Sequence, residues 1–255
     1  MNLTPNPFLT NLRAGRPQIG MWITLGSPYA AEVVAGAGFD FAVVDMEHAP
    51  NEITSVMGQL AVLASHGVPA MVRPDWNDMV KVKRILDIGA QGLVFPMVQT
   101  ADEAARAVAA CRYPPRGVRG VSTSTRANGF GRVGDYFDRV EQETAIITQV
   151  ETRAALAAAM AIGRTDGVDG VFFGPSDIAA DMGLLGQPLH PAVWEAILPV
   201  ARALMAEGVR VGTLVTDIPF ARNLMAQGFT YIACGVDTVI LSRGADAVAA
   251  QMRAD

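Results

Sequence analysis

Several polar residues that could do chemistry fall immediately after short apolar runs. Asp45, Glu47 and His48 follow FAVV, Arg73 follows PAMV, Gln149 and Glu151 end IITQVE, and Gly174-Pro175-Ser176-Asp177 follows VFF. Two carboxylates from neighbouring runs, Glu151 and Asp177, suit a hard divalent cation such as magnesium, manganese or cobalt that keeps positions open for water and substrate oxygens. The turn Gly174, Pro175, Ser176 and Asp177 would open a helix, and the free N–H groups there, on the residues other than the proline, favour a small anion such as a carboxylate. A 2-oxo acid meets both demands, since its carboxylate and keto oxygens could share one cation and its C3 protons would then be acidified. Arg73, permanently charged, can stabilise the enolate oxygen that results.

Taken singly, these residues have plainer readings. Asp177 or Glu151 could cap a helix, His48 could be a structural histidine, and Arg73 could merely pair with a carboxylate. Their convergence carries more weight, because charges gathered into one apolar mouth need a partner or a metal. Other constellations are missing from the sequence: there is no GxSxG elbow, no GxxxxGK[ST] and no HExxH. His66 and His190 read as structural or solvent-facing, and Trp22 and Phe173 as core residues. Cys111 and Cys234 read as buried thiols without a disulfide or metal role.

The elements that must position these residues repeat along the chain. β-branched runs alternate with Ala-, Leu- and Met-rich helical stretches, as in βα units around a parallel sheet. Eight strands are predicted: Gln18 to Thr24, Phe41 to Met46, Pro69 to Arg73, Gly92 to Val98, Ile146 to Glu151, Gly170 to Gly174, Arg210 to Val215 and Tyr231 to Gly235. Glycines at 38, 67, 89, 208 and 228 precede many of them as helix caps. Eight units in 255 residues predict an α/β fold with a single (β/α)8 TIM barrel over residues 1–255. In that fold the candidate residues sit at the carboxyl ends of strands, where barrel active sites lie. One segment, Tyr113 to Thr144, breaks the rhythm. It is expected to be a surface excursion, a cover over the mouth, or a contact with a neighbouring subunit.

Bulk properties narrow the function further. Hydrophobic residues make up 51% and charged residues 18%, and no run approaches the roughly 20 apolar residues of a membrane helix. The first residues lack the apolar centre of a signal peptide, which predicts a cytoplasmic protein. A net charge of −5 with scattered arginines argues against nucleic acid as a partner. Of the 20 basic residues only Lys81 and Lys83 are lysines, and both fall in the helix after Arg73. This argues against a Schiff-base mechanism, which needs a lysine at a strand end.

Five segments carry a more specific likeness: VDMEHAPN at 44–51, VRPDWND at 72–78, LDIGAQGLVFPMV at 86–98, QVET at 149–152 and FFGPSDIAADMG at 172–183, with YPPRGVRG at 113–120 beside them. Over essentially its whole length the chain resembles the HpcH/HpaI aldolase family, class II aldolases that act on pyruvate. The resemblance implies Glu151 and Asp177 as metal ligands, Gln149 and the Ser176 backbone as substrate contacts, and Arg73 as enolate stabiliser. It implies His48 as the base, Asp87 as the acid that raises its basicity, and Asp45 as a further acid nearby. It also implies a divalent metal and no organic cofactor, small 2-oxo acid and aldehyde substrates, and a homohexamer that exchanges C-terminal helices. Ser176 departs from the alanine that many relatives carry, which matters little if the backbone amide does the binding. Two alternatives stay open: a citrate- or malyl-type acyl-CoA lyase, and a catalytically silent 2-oxo-acid binding protein.

Overall fold

In the computed structural model, which describes residues 1–254, eight parallel strands close into a barrel in sequence order. The strands are β1 (Gln18–Ile23), β2 (Phe41–Asp45), β3 (Ala70–Arg73), β4 (Gly92–Phe95), β5 (Ala145–Val150), β6 (Gly170–Phe173), β7 (Arg210–Leu214) and β8 (Tyr231–Val236). Around them run α1 (Pro7–Arg13), α2 (Pro28–Ala35), α3 (Ile53–Ser65), α4 (Met79–Asp87), α5 (Ala101–Cys111) and α6 (Tyr136–Glu143). The chain continues with α7 (Arg153–Gly163), α8 (Pro175–Asp181), α9 (Pro191–Ala206), α10 (Ile218–Ala226) and α11 (Asp237–Arg253). The predicted strands are all present, with ends displaced by a few residues. The largest shift is in β4, which stops at Phe95 because Met97 turns the chain through a left-handed φ of 52°.

Local chemistry accounts for most helix starts. The side chains of Ser27, Asp78, Thr100, Thr152 and Asp217 accept hydrogen bonds from the first-turn N–H groups of α2, α4, α5, α7 and α10. The helix-ending glycines anticipated at 38, 67, 89, 208 and 228 all adopt the positive φ that a side chain would resist.

Two cores result. One lies between the strands and the outer helices, built from residues such as Val44, Val72, Leu93, Ile146 and Phe173. The other fills the barrel interior with Trp22, Phe41, Val43, Met71, Ile147, Phe172 and Tyr231, and α1 adds Phe8, Leu9 and Leu12. Phe8 meets Phe41 at 5.1 Å and Tyr231 at 5.8 Å between ring centroids. Asn6 caps α1 and its Nδ2 donates to Gln91 O at 2.8 Å, the residue before β4. The first helix therefore plugs the amino end of the barrel.

Two expectations need correction. Tyr113 to Thr144 does not cover the mouth: it follows α5, which carries the chain back to the amino end, and there Ala127 N donates to Asp87 O and Arg119 pairs with Asp87. This segment also contains α6, which the strand-helix rhythm did not anticipate. Cys111 is buried as expected, but Cys234, on the outer side of β8, is only partly buried.

If α1 is a plug and not a loose extension, Phe8→Ala should cost about 3–5 kcal/mol, the usual range for emptying a buried aromatic site. Urea unfolding would show this as a lowered midpoint at unchanged slope. A loss under about 1 kcal/mol would mean that the barrel end closes without α1.

Candidate active site

A period of two along each strand selects what enters the barrel. Val43 and Met71 belong to the interior core, so Asp45 and Arg73, two residues further on, also point inward at the carboxyl end. On β5 and its end Ile147, Gln149 and Glu151 follow the same rule, and on β6 Phe172 and Gly174 do. The register between β2 and β3 pairs Asp45 directly with Arg73.

That pairing is a buried, two-pronged ion pair. Arg73 Nε donates to Asp45 Oδ1 at 2.8 Å and NH2 donates to Oδ2 at 2.6 Å, with Asp45 1% and Arg73 7% exposed. The guanidinium carbon lies 4.9 Å from the centre of the Trp22 ring, whose Nε1 donates to Asp45 Oδ2 at 3.2 Å. Burial works against the Asp45 charge, but the bonds and charge of Arg73, the Glu47 amide and the Trp22 indole outweigh it. The carboxyl is held below its ordinary value. Burial works against Arg73 likewise and is overcome by Asp45, so the guanidinium stays firmly charged. The third guanidinium nitrogen, NH1, lies 2.9 Å from Glu47 Oε2. This contact is close but lacks hydrogen-bond alignment.

Across the mouth Glu151 is buried and held on both oxygens. Met97 N donates to Oε1 at 2.6 Å, and Gln149 Nε2 donates to Oε2 at 2.6 Å. A Cβ at Gly174 would lie 2.5 Å from Glu151 Oε2, so only glycine lets β6 run this close. Burial pushes the Glu151 carboxyl up to about 7; the Met97 amide opposes the rise, and the negative charges of Asp177 and Glu47 add to it.

Ser176 and Asp177 stand exposed in the first turn of α8, with Pro175 buried beneath them. Asp177 acts electrostatically on both Glu151 and Glu47, so the pair expected to bind a cation shares one opening. Among the described residues no cluster of three or more His, Cys, Asp or Glu is poised around a single point. Two carboxylates with open positions are what the donor set offers.

His48 is exposed at the mouth, 3.8 Å from Glu47 through its Nε2. Its loop is tied down by Asn51, whose Nδ2 donates to Asp45 O at 2.7 Å while its Oδ1 accepts from Gln59 Nε2 at 2.7 Å. Asp87 is not brought to His48. It ends α4 at the amino end of the barrel and accepts from Arg119 NH2 at 2.8 Å. Helices run antiparallel to strands, and that geometry alone separates the two within one chain. Lys81 pairs with Asp75 on α4's exposed side, which leaves no lysine at a strand end.

Four contributors went unassigned in the sequence: Glu47, Asn51, the Met97 amide and Trp22 as more than core. Only Glu47 and Asn51 carried a signal, being polar residues flanking His48.

Residues 18–243 match the family model described as HpcH/HpaI aldolase/citrate lyase. The chain belongs to this family. It is 47% identical over 247 residues to the 4-hydroxy-2-oxo-heptane-1,7-dioate aldolase of Salmonella paratyphi C, a match covering 96% of this chain and 94% of the relative. A family protein from Burkholderia cenocepacia superposes with a TM-score of 0.93 at 38% identity, covering 98% of this chain and 100% of that one. The HpcH/HpaI aldolase of Desulfitobacterium hafniense gives 0.88 at 31% identity, with 96% of each chain covered. This family member is a carbon–carbon lyase of the aldolase type.

The raised Glu151 carboxyl sets how this aldolase responds to pH without metal. Between the ordinary value of 4.5 and about 7 the folded chain holds a proton that the unfolded chain has released. Stability from this group is therefore lost as pH rises through that window. In chelator-treated protein the thermal midpoint of the wild type should fall relative to Glu151→Gln between about pH 5 and about pH 8. Parallel curves for the two would rule out the buried, protonatable carboxyl.

Proposed function

We propose that this aldolase uses pyruvate or hydroxypyruvate as donor and makes or cleaves 4-hydroxy-2-oxo acids through the donor's enolate. The observation that carries the reading is Arg73, a buried cation fixed by Asp45 and within electrostatic reach of Glu151. The name of the Salmonella relative supports the same substrate class.

In this reading Glu151 and Asp177 hold a divalent cation, magnesium, manganese or cobalt, and no organic cofactor takes part. The cation supplies an electrophile for the keto oxygen and so acidifies the C3 protons. Gln149 and the backbone at Gly174, Pro175, Ser176 and Asp177 receive the donor's carboxylate end, where first-turn N–H groups favour an anion. In the synthetic direction the C3–H bond breaks, its proton passes to His48 acting through water, and the electron pair moves toward the keto oxygen. Arg73 stabilises the charge that gathers there. The C3 carbon then bonds to the aldehyde carbon, and the aldehyde oxygen takes up a proton. Cleavage reverses each step.

A homohexamer in the cytoplasm with exchanged C-terminal helices completes the reading. It is supported by α11, where Ile240, Leu241, Val248 and Met252 are all more than half exposed. Asp87 lies at the far end of its own barrel, so the role implied for it beside His48 could only be met between subunits. Deleting residues 237–255 should reduce the particle to a smaller assembly in analytical ultracentrifugation. An unchanged mass would remove α11 from the interface.

The chemical reading is tested by deuterium exchange at pyruvate C3, with and without EDTA. The wild type should exchange only with metal. Arg73→Lys should lose about 10²-fold or more in both exchange and aldol cleavage, because an ammonium cannot reproduce the planar fork that Asp45 holds. Loss of cleavage alone, with exchange and oxalate affinity intact, would move Arg73 from the enolate to the aldehyde.

A further inference from the structure

Asp45 accounts for only one edge of the Arg73 guanidinium. Its two oxygens occupy Nε and NH2, which leaves the third nitrogen, NH1, without a bond from Asp45. Glu47 stands at that corner, with Oε2 2.9 Å from NH1 and its side chain 15% exposed. Trp22 closes one face of the same guanidinium. Glu47 lies two residues past Asp45, just beyond the end of β2, where the chain brings its carboxylate to Arg73. Glu47 N also donates to Asp45 Oδ1 at 3.0 Å, which ties the second carboxylate to the first.

We propose that Glu47 is a positioning residue that clamps the NH1 corner of Arg73 and thereby fixes the cation that meets the enolate. The inference rests on the aldolase reading for its consequence, but the clamp itself is a statement about two side chains. Holding a carboxylate there is costly. Burial disfavours the Glu47 charge and raises its carboxyl, and Asp45 and Asp177 add like charge nearby, while Arg73 and His48 oppose them. A charge kept in such a place has to do something that a neutral residue would not, and the only buried cation that it touches is Arg73. Because the contact lacks hydrogen-bond alignment, Oε2 acts on Arg73 through charge and retains a lone pair for a donor from the mouth.

The Asp45 fork already hinders rotation about the Arg73 Nε–Cζ bond, and a carboxylate at NH1 should slow that rotation further. In nitrogen-15 spectra of arginine side chains the two terminal nitrogens of Arg73 should give separate signals in the wild type and should exchange several-fold faster in Glu47→Gln at the same temperature. Signals merged in the wild type, or an exchange rate unchanged in Glu47→Gln, overturn the clamp. This readout needs no metal and no activity.

Kinetics then test its purpose. Glu47→Gln should lower kcat for both pyruvate exchange and aldol cleavage by roughly 10- to 100-fold, the cost of a slightly misplaced catalytic group, with little change in KM for pyruvate. Glu47→Asp should recover part of the loss. In an Arg73→Lys background the same Glu47→Gln change should have less than about a 2-fold further effect, since a residue acting through Arg73 has nothing left to position. A full, multiplicative effect in that background, or wild-type kcat in Glu47→Gln, overturns the proposal. A wild-type protein that lacks metal-dependent exchange would overturn the aldolase reading instead, and the nitrogen-15 signals would still decide the clamp.

Discussion

Arg73 cannot shed its charge, and it sits where water hardly reaches it. An ion pair of this kind is held together less by net gain than by the cost of breaking it, about 3–5 kcal/mol when one partner is removed from a buried site. Asp45 must therefore be present and ionised, and the protein invests the Trp22 indole and the Glu47 amide in keeping it so. Asn51 then anchors the Asp45 carbonyl, Gln59 anchors Asn51, and the loop bearing Glu47 and His48 takes its course from that chain of bonds. The mouth is organised outward from one guanidinium.

The opposite wall is built on the reverse principle. Glu151 is kept ready to be neutral or charged, at a value near 7, in place of being forced into one state. If Glu151 holds the cation of the proposed function, a group so poised would release its proton when the cation binds and take it back when the cation leaves. The fixed charge of Arg73 and the adjustable charge of Glu151 are the two electrostatic halves of the site, and the narrow backbone at Gly174 sets how closely the second half packs.

Much of this was legible in the sequence, for physical reasons. Strand alternation and helix-capping residues are local, so the eight strands, the glycine caps and the inward placing of Asp45, Arg73, Gln149 and Glu151 followed from spacing. Which inward residues touch depends on register, which is set by closure of the whole barrel, and so the Asp45–Arg73 fork could not be read from either strand alone. Glu47 was visible as a polar residue beside His48, yet its partner on β3 was not. Met97 was invisible: a non-glycine residue at positive φ leaves no mark in composition, although its amide holds Glu151. For Asp87 a motif fixes the residue's identity, while the end of the barrel to which its helix delivers it, and whatever faces it there, depend on the fold and its assembly.

The packed interior of the barrel, closed at its amino end by α1, leaves the site as a well with one opening. With Phe8, Leu9 and Leu12 filling the amino end, everything that reaches Glu151 does so from the side where His48 and Asp177 are exposed. On the proposed function, a well with a single rim would impose sequence on traffic. A reactant seated against the buried residues at the bottom would go in first and come out last, and whatever condenses with it above would act as a stopper until it departs.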